Sequence, residues 1–307
     1  GNRVCQLNGN LTADTRLTRG SIYELVGPVF VGVDRGPDPA SPLPSGIEVD
    51  LTIDPGVTIF GSSGSDYIVV TRGSTIHSNG TAAAPVVMTS RSDVDGTVGA
   101  NDRGQWGGLV INGRAPINAC IDGTATGGTV DCETSGEGCS GLFGGATPTD
   151  DSGDLFYTQV RYAGFKVNNE DELNGIAFQG TGSGLEVDYV QVYNNLDDCF
   201  EFFGGTTNAK HLIALGCGDD SLAWTDGWQG SIQYAIVYGG VSSATGGISG
   251  DPRGIEGDNL SGNNTAAPVS TPHVSNFTLI SGGDTAADTG AVLRRGMKGT
   301  IANGIIL

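Results

Sequence analysis

Four aspartates in two neighbouring segments give this chain its clearest potential for chemistry. The segments LDDCFEFFGG and GDDSLAWTDG superimpose one repeat apart, which places Asp197 beside Asp219 and Asp198 beside Asp220. If the two segments belong to stacked coils, their carboxylates lie about 4.8 Å apart. Two carboxylates at about 5 Å repel by roughly 3 kcal/mol at an effective dielectric constant near 20. A folded protein keeps such an arrangement only if a cation, hydrogen bonds or a shared proton offsets the repulsion.

Three further acids extend the aspartate pairs into a larger acidic group. The segment RGIEGDN aligns with the second strand of the repeat, which places Glu256 in the column of Glu201, and Asp258 follows it. Ca²⁺ takes about six to eight oxygens from carboxylates, carbonyls and water, so it matches this density of acids. The sequence therefore indicates a calcium site built from acids at seven positions, namely Asp197, Asp198, Asp219, Asp220, Glu201, Glu256 and Asp258.

The acidic group is also consistent with turn capping or with catalysis. An aspartate at a strand end accepts hydrogen bonds from turn N–H groups, which gives the same pattern without an ion. A catalytic role needs carboxylates that share a proton or that bind a metal near a base. The chain has no G-x-S-x-G motif and no phosphate-binding glycine loop. For a polysaccharide lyase or hydrolase, the candidates are Asp198, Asp220, Glu201 and Arg253, with Arg294 and Arg295 as the other nearby basic groups.

A repeated phrase between Leu185 and Leu307 predicts the elements that position these acids. The segments EVDYVQVYNN, AKHLIALGCG, SIQYAIVYGG, VSNFTLISGG and GTIANGIIL stack so that apolar residues fall into columns. Short period-2 strands that recur every 20 to 30 residues or so are typical of a solenoid, in which each coil buries its apolar face against the next. The sequence therefore predicts an all-β parallel β-helix. Its two apolar columns are Val190, Leu212, Ala235, Phe277 and Val192, Ala214, Val237, Leu279.

A second, shorter strand follows the first in each coil, in the segments NGIAFQG, CFEFFGG, SLAWTDG and GAVLRRG. The alternation of these strands favours an interior aromatic stack over an exposed sugar-binding platform. In the first strand, His211 shares a column with Tyr189 and Tyr234, which favours a ring in a surface ladder over a catalytic base. The predicted interior column contains Phe178, Phe202, Trp224 and Leu293.

Composition narrows the class of protein. With 15 basic against 34 acidic residues the net charge is −19, which argues against nucleic acid as a partner. No stretch approaches the roughly 20 apolar residues of a transmembrane helix. Six cysteines without C-x-x-C spacing favour disulfides in an oxidising compartment over zinc. Cys120 and Cys132 bracket one loop, and Cys199 and Cys217 lie in successive coils, so both pairs are candidate disulfides.

The chain divides into an N-terminal segment and one solenoid domain. Residues 1–46 contain the strand SIYELVGPVFVGV and a proline-rich loop, and we expect them to cap the first coil. Residues 47–307 form the β-helix, with long loops at about 118–154 and 241–273. Because the sequence stops within the strand IANGIIL, we expect the native protein to continue beyond residue 307.

Four segments carry a resemblance to known proteins: RGQWGGLVINGRAPI, DELNGIAFQGTGSG, VDYVQVYNNLDDCFEFFGGT and GDDSLAWTDGW. Across roughly residues 47–300 the chain resembles secreted or outer-membrane-associated proteins of Gram-negative bacteria. The resemblance implies a right-handed parallel β-helix with an N-terminal cap and long inserted loops. It carries no assigned chemistry, so it transfers no catalytic residue to this sequence.

Together these features predict a non-enzymatic protein of the cell exterior. We expect a secreted or cell-surface β-helix with a structural or adhesive role, in which calcium stabilises the acidic turns. Self-association into a layer or fibre, or binding to other surface proteins, is expected for an open-ended solenoid. The alternatives are a carbohydrate-active enzyme, of the polysaccharide lyase or hydrolase type, and a glycan-binding accessory protein that uses the acidic face.

Overall fold

Nearly all regular structure in this protein is β-strand. The structure, a computed structural model, describes residues 3–168, 171–239, 252–282 and 289–307. Within these residues, 20 strands join one sheet, and two further pairs of short strands form separate sheets. The first nine strands, β1 to β9, span Arg3–Leu11, Thr15–Leu17, Ser21–Val31, Asp50–Ile53, Thr58–Gly61, Tyr67–Val70, Thr75–Asn79, Val86–Ser90 and Gly108–Asn112.

The middle of the chain contains the few helical turns. Helix α1 spans Arg91–Val94, and a 3₁₀ turn spans Glu137–Cys139. No helix in the described ranges is long and apolar enough to cross a membrane.

Strands β10 to β14 span Thr134–Ser135, Leu142–Phe143, Gly153–Arg161, Lys166–Asn168 and Asp171–Glu172. Strands β15 to β24 span Ile176–Gln179, Glu186–Tyr193, Phe200–Phe203, Asn208–Leu215, Leu222–Thr225, Ser231–Tyr238, Arg253–Gly257, His273–Ile280, Thr289–Leu293 and Thr300–Ile306.

The strands of the large sheet wind into a parallel β-helix, as the sequence predicted. The long strands β12, β16, β18, β20, β22 and β24 pair in succession, and every pair is parallel. The short strands β9, β15, β17, β19, β21 and β23 form a second parallel stack. One coil therefore consists of a long strand, a turn and a short strand.

The N-terminal strands join the same winding. β1 pairs in parallel with β3, and β3 pairs in parallel with both β5 and β6. β2 pairs with β4 in the same way. The strand predicted within SIYELVGPVFVGV corresponds to β3, whereas β1 and β2 were not foreseen. The predicted loop 241–273 contains β21, and residues 241–251 of that region lie outside the described residues.

The register of the coils matches the predicted columns. Val190 is the partner of Leu212, Leu212 of Ala235, and Ala235 of Phe277. Residues of this column and of the column that begins at Val192 are buried and belong to one continuous core. The period-2 pattern thus places the apolar residues of each long strand inside the coil.

The interior aromatic stack is also present, with one addition. Phe178 stacks on Phe202 with ring centroids 4.7 Å apart, and Phe202 stacks on Trp228 at 4.3 Å. Trp228 follows the short strand β19 and was not predicted to join the stack; its ring lies 5.7 Å from that of Trp224. All four rings are buried, while Leu293 at the end of the column is 49% exposed.

Two glycines lie where an aromatic ring of the preceding coil fills the interior. Gly257 is the register partner of Trp224, and a β-carbon there would lie 2.5 Å from Cζ2 of that ring. Gly304 is the partner of Phe277, and a β-carbon there would lie 2.1 Å from its Cζ atom. A side chain at either position would have to displace the ring. At these two steps, a large interior residue is therefore followed by a glycine in the next coil.

Each long strand bends sharply at one residue with positive φ. This residue stands at equivalent positions in six successive coils, as Tyr157, Tyr189, His211, Tyr234, Asn276 and Asn303, with φ between 45° and 57°. We call this set the corner column. The left-handed conformation costs little for asparagine and more for bulky residues. The predicted surface ladder around His211 is confirmed, because its ring stacks between those of Tyr189 and Tyr234.

Both candidate disulfides are present, joining Cys120 to Cys132 and Cys199 to Cys217. Cys199 and Cys217 are fully buried and belong to the main core. The other two cysteines are free thiols, Cys139 on the surface and Cys5 half-buried. Two disulfides fit folding in an oxidising compartment.

Replacing Cys199 and Cys217 together by serine is expected to lower the free energy of unfolding by about 3 kcal/mol, the usual value for a loop of this size. Urea unfolding under non-reducing conditions, followed by circular dichroism, measures the change. The matched control replaces Cys120 and Cys132 by serine. We expect it to affect global unfolding less, since that disulfide lies within one loop. Equal unfolding midpoints for the wild type and the Cys199/Cys217 variant would contradict the expectation.

Candidate functional site

The acidic turns of two neighbouring coils converge on one spot. Asp197 and Asp198 precede β17, and Asp219 and Asp220 stand at the same place before β19. Asp197, Asp198 and Asp219 each offer a ligand atom, and these atoms all lie within 4.8 Å of one another. We call these three residues the aspartate cluster. Its members are the residues predicted from the in-register repeat of the Asp-Asp pair.

Backbone hydrogen bonds fix the turn that carries the cluster. The N–H of Asp220 donates to Oδ1 of Asp198 at 2.8 Å, and the N–H of Cys199 donates to the carbonyl of Asp220 at 2.9 Å. The side chain of Asn195 donates to the carbonyl of Asp198 at 2.6 Å. Asp198 therefore uses one carboxylate oxygen as a turn acceptor, which is the arrangement that turn capping requires. Asp198 also offers a carboxylate oxygen to the aspartate cluster.

A buried amide links the cluster to two glutamates. Nδ2 of Asn174 donates to Glu201 at 2.8 Å and to Glu137 at 3.1 Å. Asn174 is 1% exposed, and its Oδ1 has no hydrogen-bond partner among the described residues. Oδ1 of Asp220, a residue 3% exposed, likewise has none there. A buried oxygen without a donor costs free energy, although the other carboxylate oxygen of Asp220 lies 3.5 Å from Nη1 of Arg253.

Glu137 and Asn174 were missed by sequence reasoning. Glu137 belongs to the long loop 118–154, far from the repeat, and the 3₁₀ turn that carries it docks on the helix through a hydrogen bond from the Tyr67 hydroxyl to the Gly138 carbonyl. Asn174 precedes the short strand β15 of the coil before the cluster. Its position one coil above the first Asp-Asp pair is the only sequence signal that points to it.

Burial and mutual repulsion make the ionised form of this site costly. Burial, followed by repulsion from Glu172 and Asp219, raises the pKa of Asp197 to about 8. Burial and the neighbouring charge of Asp219 raise the pKa of Asp220 to about 9. The pKa values of Asp198 and Glu201 are also raised well above their ordinary range, first by burial and then by adjacent carboxylates. Without a cation, the site therefore holds protons at neutral pH.

Two of the remaining predicted ligands, Glu256 and Asp258, pair with arginines instead. Glu256 contacts Arg253 and Arg294, each at 2.5 Å. Asp258 contacts Arg294 and Arg295, each at 2.9 Å. Glu256 shares the column of Glu201, as expected, but Ala223 stands between them, so two coil steps separate the two glutamates. The structure thus brings Asp197, Asp198 and Asp219 together and places Glu256 and Asp258 in a neighbouring ion-pair network.

The residues proposed for catalysis are close together but enclosed. Nη1 of Arg253 lies 3.5 Å from Oδ2 of Asp220, and the two side chains are 12% and 4% exposed. Asp198 is 8% exposed. A cavity of about 300 Å³ borders this region, and Asp219 and Arg253 are among its lining residues. Its other walls are largely apolar and include Val237, Leu279, Ile306 and Leu307.

Comparison with known proteins agrees with the winding of the strands. The family described as "Pectate-lyase like beta helix domain" matches residues 9–307. A search of curated proteins gave no match, and neither did a search of solved structures.

Proposed function

Since the chain belongs to the pectate-lyase-like β-helix domain family, we propose that it is a non-enzymatic β-helix of the cell exterior, stabilised by calcium in its acidic turns. The aspartate cluster carries the proposal. Three carboxylate oxygens within 4.8 Å of one another repel strongly when all three groups are ionised, and a cation between them would offset that repulsion. The two disulfides and the net charge of −19 are compatible with a secreted or surface location.

The donor set suits a hard cation. Asp197, Asp198 and Asp219 offer carboxylate oxygens within 4.8 Å of one another. Calcium accepts carboxylate oxygens in irregular geometry and completes its shell with neutral oxygens or water, whereas magnesium demands a near-ideal octahedron and keeps more water. A bound cation would also allow the carboxylates to ionise at neutral pH.

Enclosure of the acids favours a structural role over catalysis. A lyase needs a base that reaches the sugar, and a hydrolase needs an acid and a second carboxylate that face the glycosidic bond. Here Arg253 is held between Asp220 and Glu256, and Asp198 and Asp220 are buried. Groups that are buried and ion-paired are better placed to stabilise the turn than to act on a bound substrate.

Calcium is expected to raise the melting temperature of chelator-treated protein by roughly 4 °C. Binding at a hundredfold excess over Kd contributes about 2.7 kcal/mol, and 1 kcal/mol shifts the midpoint by about 1.5 °C for a chain of 307 residues. Asp197→Asn is expected to reduce the gain, because it removes one ligand charge. The matched control is Glu186→Gln, an exposed acid on the neighbouring strand β16. A melting temperature indifferent to chelator and calcium would contradict the calcium site.

One observation favours a second candidate function, a polysaccharide lyase. Asp219 and Arg253 line the same cavity of about 300 Å³, which would bring a cation and a base to one substrate. Incubation with polygalacturonate and calcium tests it, because lyase action creates an unsaturated uronate that absorbs in the ultraviolet. Under the structural proposal no product forms. Product formation that Arg253→Ala abolishes would establish the lyase instead.

A further inference from the structure

A groove runs along the outer surface of the helix at the corner column. Its volume is about 530 Å³, within the range of about 300–1,000 Å³ that ligand sites occupy. One side is the corner column from Tyr157 to Asn276, and one end is closed by the loop around Pro85. The floor is the next outward-facing column, formed by Gln159, Gln191, Ile213, Ile236 and Thr278.

The aromatic rings of the corner column form a rigid side wall. Ring centroids lie 4.6 Å apart between Tyr157 and Tyr189, 4.3 Å between Tyr189 and His211, and 4.9 Å between His211 and Tyr234. Because the rings stack on one another, their edges and polar atoms remain for a ligand. Tyr189 and Tyr234 are 44% and 47% exposed. The wall therefore offers hydroxyl groups and a ring nitrogen at one-coil intervals.

The groove is lined by apolar and polar residues and one histidine, on a strongly acidic protein. None of the residues that line it in the described chain is Asp, Glu, Lys or Arg, although the net charge of the molecule is −19. Among the described residues, His211 is the only histidine that lines the groove, and Nδ1 of its ring lies 2.7 Å from Oδ1 of Asp188. A uronate, a phosphate or a metal ion would find no partner charge. Amides, phenols and hydroxyls beside Ile213 and Ile236 instead match a neutral ligand with many hydroxyl groups.

We propose that this groove binds a neutral glycan chain that lies along the axis of the β-helix. The lining repeats with the coils, about 4.8 Å apart, so a ligand made of repeating units meets the same groups at each step. Gln159 and Gln191 are register partners and present two amides in succession. Ile213 and Ile236 continue the column with apolar surface for the aliphatic face of a sugar ring. The site is separate from the aspartate cluster and does not depend on calcium.

An extended peptide is less suited to this groove. Peptides that add to a sheet bind an edge strand through free backbone groups. The floor consists of strands β12, β16, β18, β20 and β22, each already paired on both sides. A peptide in this groove would therefore make only side-chain contacts and no backbone hydrogen bonds to the sheet. A glycan can bind through side-chain contacts alone.

Native gel electrophoresis with dissolved polysaccharide tests the proposal, since the acidic protein migrates readily. The probes are soluble cellulose ether, xylan, galactomannan, laminarin and dextran, with polygalacturonate as the anionic comparison. We expect retardation by at least one neutral probe. Gln191→Ala and Tyr189→Phe are each expected to weaken binding by roughly threefold to tenfold, the worth of one hydrogen bond. Ile236→Glu, which brings a charge into the groove, is expected to abolish binding.

The control is Tyr238→Phe, which removes a phenolic hydroxyl from the same strand outside the groove. It is expected to bind as the wild type does, and all variants are expected to melt within about a degree of one another. Three results would overturn the proposal: no retardation by any neutral probe, binding that all three groove variants retain, or retardation by polygalacturonate alone. Protein dimerisation that Ile236→Glu abolishes would show that a second copy occupies the groove.

Discussion

In calcium-free solution, raising the pH from 5 to 9 is expected to destabilise the folded protein. The pKa of Asp197 rises from its ordinary 3.8 to about 8, and that of Asp220 rises to about 9. Between the unfolded and folded pKa values, the folded state holds protons that the unfolded chain has released. The free energy of unfolding therefore falls with pH in this window, by about 1.4 kcal/mol per pH unit for each proton that distinguishes the two states.

Urea unfolding in chelator at pH 5, 7 and 9 measures this slope. Asp197→Asn is expected to flatten it, because asparagine neither binds nor releases a proton. Saturating calcium is expected to oppose the slope, since the cation favours the ionised carboxylates and binds more tightly as pH rises. Calcium-free stability that increases steadily from pH 5 to 9, or a slope that Asp197→Asn leaves unchanged, would show that the acids are not strained in the folded state.

Replacing Phe202 by alanine is expected to lower the free energy of unfolding by about 3–5 kcal/mol. Phe202 is fully buried, and its ring stacks on Phe178 and on Trp228. The substitution removes contacts with both rings and leaves a cavity that closely packed coils fill poorly. Phe202→Leu, which keeps most of the volume, is expected to cost less.

Chemical denaturation followed by tryptophan fluorescence is a direct measurement, because Trp228 packs against the altered site. The matched control is Tyr234→Ala, which removes a ring from the exposed corner column, where Tyr234 is 47% exposed. We expect it to cost much less than Phe202→Ala. Similar losses for the two variants would mean that the interior stack contributes no more than the surface ladder.

The sequence predicted the parts of the fold that repeat. The columns that begin at Val190 and Val192 are in the predicted register, and the Asp-Asp pairs of successive coils meet in space. Repetition makes this possible, because a residue that recurs at one position of a coil lies above its counterpart whatever the rest of the chain does. The Cys199–Cys217 disulfide also joins successive coils, but the two cysteines are offset in register, so the repeat alone made this pair a candidate and no more.

What the sequence did not predict comes from segments outside the repeat. Glu137 reaches the acidic site from an inserted loop, and Trp228 enters the interior stack from a turn. Loop conformation depends on many weak local contacts, so spacing alone does not place such residues. The arginine pairing of Glu256 and Asp258 likewise depends on side-chain reach, which a column alignment does not contain.

Two places where a ring meets a glycine of the next coil mean that these coils are not interchangeable modules. The ring of Trp224 extends into the space above Gly257, and the ring of Phe277 extends above Gly304, so each of these coils is shaped for its own successor. A second copy of the coil that contains Trp224 would place an indole where Gly257 now leaves room for the ring of Trp224. We therefore expect the fold to tolerate insertions and deletions at the turns between strands, where the long loop 118–154 is already inserted. We do not expect it to tolerate the addition or removal of whole coils.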